Sequence, residues 1–181
     1  VPLPWATLDE KLDLELGDYV LLQAYTNRGK SWLAGQMGLS AWQGGFSVLH
    51  YSPELTKSQT LLRLDTLLGH FKNSQLKRGE LEDEDNYFAY LDSFTGNSSK
   101  YTIKTMEDIE VFSLEAIEQD IKILQPNVVI IDGFNLITTK SSNRRDMASN
   151  SRRLRQIFGK NKVMGLVVHQ TPTSAEKENK L

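Results

Sequence analysis

The sequence predicts an α/β fold with a mostly parallel central sheet flanked by helices. Three observations carry that expectation. Short apolar runs rich in β-forming residues alternate along the whole chain with longer segments of helical period. Helix-length stretches, rather than hairpin turns, separate the strand-like runs. Connections of this kind pack as right-handed crossovers, which makes neighbouring strands parallel and lays helices over the sheet.

Tyr19-Val20-Leu21-Leu22-Gln23-Ala24 reads as a buried strand, and residues 30–42 as a helix that ends at Gly44-Gly45. Residues 46–51 read as a second strand. Thr56 is placed to cap a helix running to about His70, with Leu61, Leu64 and Leu68 on one face. A polar, acidic connection follows, and Tyr87-Phe88-Ala89-Tyr90-Leu91 reads as a third strand because Tyr and Phe favour the pleated state. Leu114, Ile117, Ile121 and Leu124 mark a further helix, which Pro126-Asn127 stops. Val128-Val129-Ile130-Ile131 is the most apolar strand and ends in Asp132-Gly133. A basic helix from about Met147 to Phe158 and a strand over residues 164–168 complete the series.

The composition excludes several function classes. The chain has 181 residues, 39% apolar and 24% charged, enough for one well-buried domain and unlike a disordered chain. There is no cysteine, which removes disulfide scaffolds, thiolate metal sites and cysteine nucleophiles. No apolar run is long enough to span a bilayer, and Val1-Pro2-Leu3-Pro4-Trp5 lacks the basic start of a secretory signal. A cytoplasmic protein with no membrane partner is expected, in the host cytoplasm if phage-encoded. The net charge of -2 rules out a surface that is basic overall. Charge is nevertheless uneven: from Lys140 to Lys162 eight basic residues stand against Asp146 alone, a candidate polyanion-facing segment.

The chemistry-bearing segment is Ala24-Tyr25-Thr26-Asn27-Arg28-Gly29-Lys30-Ser31. It matches the phosphate-binding pattern G-x-x-x-x-G-K-[ST] except for Ala24 in place of the first glycine, and it lies between a strand and a helix as the pattern demands. Backbone N–H groups there would surround a β-phosphate, Lys30 would reach the β and γ oxygens, and the Ser31 hydroxyl would ligate Mg²⁺. ATP or another NTP is therefore the expected substrate and Mg²⁺ the expected cofactor. Asp132 ends a parallel strand and would share the ligand crevice with this loop, holding the metal through water. Glu54, just past the second strand, is placed to polarise an attacking water, although an acid in that position also suits the dipole of the next helix. His169 and Gln170 reach the same sheet edge from the last strand. His50 and His70 read as ordinary, partly buried surface residues.

Taken in order, these segments resemble the RecA-fold ATPase domain of DnaB-type replicative helicases. The resemblance rests on the alanine-started loop, on Tyr51-Ser52-Pro53-Glu54-Leu55 with Leu61-Leu62-Arg63-Leu64 after it, on residues 130–137 and on Val167-Val168-His169-Gln170. Pro53, Gly133 and Asn135 stand where the family usually has Leu, an aromatic residue and Gln. The resemblance implies Glu54 as the catalytic carboxylate, Gln170 (or His169 beside it) as sensor of the γ-phosphate, and an arginine finger supplied by a neighbouring subunit. It also implies a ring, expected to be a homo-hexamer, acting on single-stranded DNA, with primase or a helicase loader as partner. Residues 1–181 are expected to be a single RecA-like ATPase domain, the core of a larger helicase. The segment from Thr138 to Arg145 has no apolar anchor and is expected to be a mobile loop facing DNA through Lys140, Arg144 and Arg145. Two other assignments fit the same crevice: another RecA-fold ATPase of the recombinase or clock type, and a nucleotide-binding loader or adaptor without unwinding activity.

Overall fold

The computed structural model describes residues 1–137 and 144–171, without the side chains of residues 144–146. The elements run α1 (Ala6–Leu12), β1 (Tyr19–Tyr25), α2 (Lys30–Gln43), β2 (Val48–Tyr51), α3 (Lys57–Gly69), α4 (Asn73–Arg78), α5 (Glu84–Asp92), β3 (Tyr101–Lys104), α6 (Leu114–Leu124), β4 (Val128–Asp132), α7 (Arg144–Asn161) and β5 (Met164–Thr171). The strands form one sheet in the order β1-β5-β4-β2-β3, and every pairing is parallel.

Strand alternation sends successive side chains to two different helix layers. Val48, Val128, Ile130 and Leu166 pack against Ala34, Met37 and Ala41 of α2. Leu49, Tyr51, Val129, Ile131 and Val167 meet Ile117 and Ile121 of α6 and Leu154, Ile157 and Phe158 of α7 on the other face. Burial on both faces explains why β4 is apolar at four consecutive positions rather than alternating.

The helix at Thr56 forms as expected, with a reciprocal cap: the Gln59 amide donates to the Thr56 hydroxyl at 3.2 Å and the Thr56 amide to the Gln59 side chain at 3.1 Å. Thr56→Ala is expected to cost about 1 kcal/mol of stability, read as a lowered denaturant midpoint.

Four expectations are corrected. Residues 87–91 are not a strand but the body of α5. The Asp83 side chain accepts from the Asn86 amide to start this helix, and Tyr87 and Tyr90 then donate to the two oxygens of Asp65 at 2.9 and 3.0 Å. Spacing of three and four along Tyr87, Tyr90 and Phe94 makes a helical aromatic stripe against Phe71 and Trp42, which outweighs the β-preference of the single residues. The third strand is instead Tyr101–Lys104, a short edge strand whose only fully buried side chain is Ile103. The last strand extends through His169 and Gln170 to Thr171, and α7 begins at Arg144, so Arg144 and Arg145 belong to a helix rather than a loop. His50 is interior, 3% exposed.

Candidate functional site

The parallel register brings the carboxyl ends of the strands to one edge: Ala24 lies beside Gln170, Tyr25 beside Thr171, Tyr51 beside Ile131, and Asp132 beside Val168. From that edge the chain turns tightly into α2. Asn27 and Gly29 both take left-handed conformations, φ 60° and 77°, and α2 starts without any side-chain cap. Left-handed residues just before an uncapped helix turn backbone N–H groups toward one concavity, a geometry suited to anions. Asn tolerates that conformation and Gly adopts it at no cost, which accounts for both residue types.

Lys30 is only 6% exposed, and its ammonium donates to the Tyr25 carbonyl at 2.6 Å, folding the side chain back over the loop. A cleft of about 380 Å³ opens in front of it. Asn27, Arg28, Gly29, Lys30, Ser31, Glu54, Asp132 and Gln170 all line this cleft, so the structure brings these sequence-predicted residues together. Ala24 and Tyr25 close β1, and Thr26 follows them into the turn that leads to the cleft. Lys140 lies outside the described residues, as do the side chains of Arg144 and Arg145.

The electrostatics are those of a buried acid held beside cations. Burial raises the Asp132 carboxyl above its ordinary value, and nearby Glu54 pushes the same way; a hydrogen bond with Ser31 and the charges of Arg63 and Lys30 oppose the rise. A hydroxyl and a carboxylate joined in this way fit Mg²⁺, which takes few protein oxygens and keeps several waters. Among the described residues no group of three or more His, Asp or Glu side chains offers an all-protein cage.

Gln170 and His169 alternate along β5. Gln170 faces the cleft, and its backbone N–H donates to the Asn135 side-chain oxygen at 3.5 Å. His169 turns to the opposite face and packs edge-on against Phe134, with ring centroids 5.8 Å apart; burial first and then the Lys30 charge lower its pKa.

Two further residues have no role that the sequence alone assigns. Arg63, on the inward side of α3 one turn after buried Thr60, lies with its guanidinium 5.5 Å from the centre of the Trp32 ring, and both side chains line the cleft. The signal that could have found it is a lone arginine in an otherwise apolar helical run, Leu61-Leu62-Arg63-Leu64. Gly133, at φ 141°, is the other: a Cβ there would come within 2.8 Å of the Pro53 ring. The loop that carries Glu54 and the loop after Asp132 thus rest directly on each other.

A family model, the DnaB-like helicase C terminal domain, matches residues 1–180. The chain belongs to that family. The five-stranded parallel sheet agrees with this DnaB-like, RecA-type fold. One similar solved structure is described as a DnaB-like replicative helicase and its interactions with primase, with TM-score 0.84 and 21% identity over 99% of this chain and 46% of that one. Another is described as an ATPase domain, with TM-score 0.83 and 19% identity over 99% of this chain and 66% of that one. At these identities the likeness bears on the fold alone, and this DnaB-like chain spans less than two thirds of either neighbour. No curated protein is similar enough in sequence to match. Among the described residues no helix is long and apolar enough to cross a membrane.

Proposed function

We propose that this DnaB-like domain is the NTP-hydrolysing motor of a replicative helicase, a single ATPase domain over residues 1–181 that works in a homo-hexameric ring on single-stranded DNA. The observation that carries the reading is the convergence of Lys30, Ser31, Glu54, Asp132 and Gln170 on one cleft at the carboxyl edge of the sheet.

The loop amides and the ammonium of Lys30 bind the β and γ phosphates, the ammonium exchanging the Tyr25 carbonyl for phosphate oxygen. Ser31 directly, and Asp132 through water, would hold Mg²⁺, which supplies neutralisation of phosphate charge when bound. Glu54 orients a water for in-line attack on the γ-phosphorus and accepts its proton, while the bond to the β-phosphate oxygen breaks and the nucleoside diphosphate leaves. Gln170 touches the γ-phosphate and reports its presence to β5 and the segment beyond. An arginine from the neighbouring subunit completes the charge balance. Primase or a helicase loader is the expected protein partner.

The test uses the full-length protein: NTP hydrolysis stimulated by single-stranded DNA, together with displacement of an annealed strand. Hydrolysis without displacement supports a recombinase-like or clock-like ATPase, and nucleotide binding without turnover supports a loader or adaptor. The basic segment provides a separate check. Neutralising Arg144 and Arg145 together is expected to lower single-strand affinity and to flatten its salt dependence by roughly one log–log unit for each phosphate left unpaired. Loss of ring assembly instead assigns these charges to a subunit interface, and unchanged assembly, affinity and slope removes them from DNA contact.

A further inference from the structure

A second, smaller chamber shares Ser31, Arg63 and Asp132 with the cleft; its other polar lining residues are His50, Ser52 and Thr60, and leucines and Gly35 of the flanking elements complete it. Its volume is about 10 Å³, room for the centre of one water molecule. His50 enters it from β2. The imidazole is 3% exposed, its Nδ1 lies 3.0 Å from the Tyr101 hydroxyl, and its Nε2 has no hydrogen-bond partner among the described residues. A buried ring nitrogen without a partner, on a residue lining a chamber that a hydroxyl and a carboxylate also line, is costly unless a group there bonds to it.

The tautomer follows from Tyr101. Its hydroxyl is turned inward over α2, where a Cβ on Gly38 would come within 2.6 Å of it, and the phenol is kept protonated by burial and by the charge of Asp132. A buried, protonated phenol is best satisfied by donating its one proton, and its hydrogen-bond partner is His50 Nδ1. That donation puts the single proton of the neutral imidazole on Nε2, the ring atom without a partner. Burial pushes the His50 pKa down to about 4, so the ring stays neutral across the working range.

We propose that His50 is a positioning residue for the metal acid: its Nε2–H donates through one buried water to the inner oxygen of Asp132, leaving the other oxygen directed toward Ser31 and the cleft. This inference rests on the nucleotide-binding reading given above and assigns that site a support that begins at the far edge strand, through Tyr101 on β3. Partners of a direct metal ligand, when lost, typically weaken metal binding by about 10- to 100-fold, and Asp132, which acts through water, puts His50 at the lower end of that range.

The experiment measures binding of a fluorescent ATP analogue to the full-length protein by anisotropy, with and without Mg²⁺, alongside thermal melting to confirm folding. His50→Leu is expected to raise the Mg²⁺ concentration giving half-maximal tightening by about 10-fold while Mg²⁺-free binding stays at the parent's level. His50→Gln keeps an N–H donor at the reach of Nε2 and is expected to restore the parent's Mg²⁺ midpoint. Tyr101→Phe releases the tautomer and is expected to shift the midpoint in the same direction as His50→Leu by a smaller factor. If His50→Leu does not fold, Tyr101→Phe against His50→Gln decides. Folded His50→Leu with the parent's Mg²⁺ midpoint overturns the role of His50, as does an equal loss of Mg²⁺-free binding. A parent protein that binds the analogue with no response to Mg²⁺ overturns the nucleotide-site reading itself, an outcome distinct from either.

Discussion

Lys30→Ala is expected to reduce NTP hydrolysis to background, a loss of at least about 10²- to 10³-fold, the range for removing one pre-positioned donor from developing charge. Lys30 lies at the start of α2 with its ammonium buried, so its charge acts in a poorly screened site where it counts most. The fold should survive, because the substitution leaves the sheet pairings and both helix layers in place and takes away the hydrogen bond to the Tyr25 carbonyl. The measurement is steady-state phosphate release by a variant whose melting matches the parent's. Ordinary turnover in such a variant excludes this cleft as the engine.

Glu54→Gln is expected to keep nucleotide binding and to slow hydrolysis by about 10²-fold or more, the usual scale for losing a general base. The substitution preserves shape and hydrogen bonding and removes the proton acceptor. Glu54 sits three residues before α3, so the competing assignment is an acid that merely complements the helix dipole. The two differ in kind. A dipole role predicts a small loss of stability with normal turnover, whereas a base role predicts normal melting with turnover lost from kcat and little change in KM. Asp132→Asn gives the contrast, weakening Mg²⁺ dependence and nucleotide binding together.

The sheet and the cleft are legible in the sequence because both depend on strong local signals. Val128-Val129-Ile130-Ile131 has few other fates, and Gly29-Lys30-Ser31 between a strand and a helix specifies its own turn. Parallel topology then carries Asp132 and Gln170 to the same edge without further information. What escapes such a reading is set by tertiary neighbours. Residues 87–91 carry β-forming side chains, yet the partners of Tyr87 and Tyr90 are Asp65 and Phe71, which lie far back in the sequence. Tyr101–Lys104 is short and polar at alternate positions, so its pattern is weak until β2 lies alongside it. His50 reads as a surface residue because a lone histidine in an apolar strand does not announce its hydroxyl partner fifty-one positions away. Arg63 stands out in its helix but has no assignable role until α3 aims it at Trp32.

The approach of Gly133 to the Pro53 ring couples the choice of residue at two positions. In the sequence they look like two separate departures from the family's usual residues, but the 2.8 Å that a Cβ would leave makes them one. A side chain after Asp132 needs both the proline ring shifted and the backbone moved away from φ 141°, beside the loop that carries Glu54. An aromatic residue at position 133 with Pro53 kept collides with the ring; exchanging Pro53 as well relieves that collision, and the backbone must still leave φ 141° to accept the side chain.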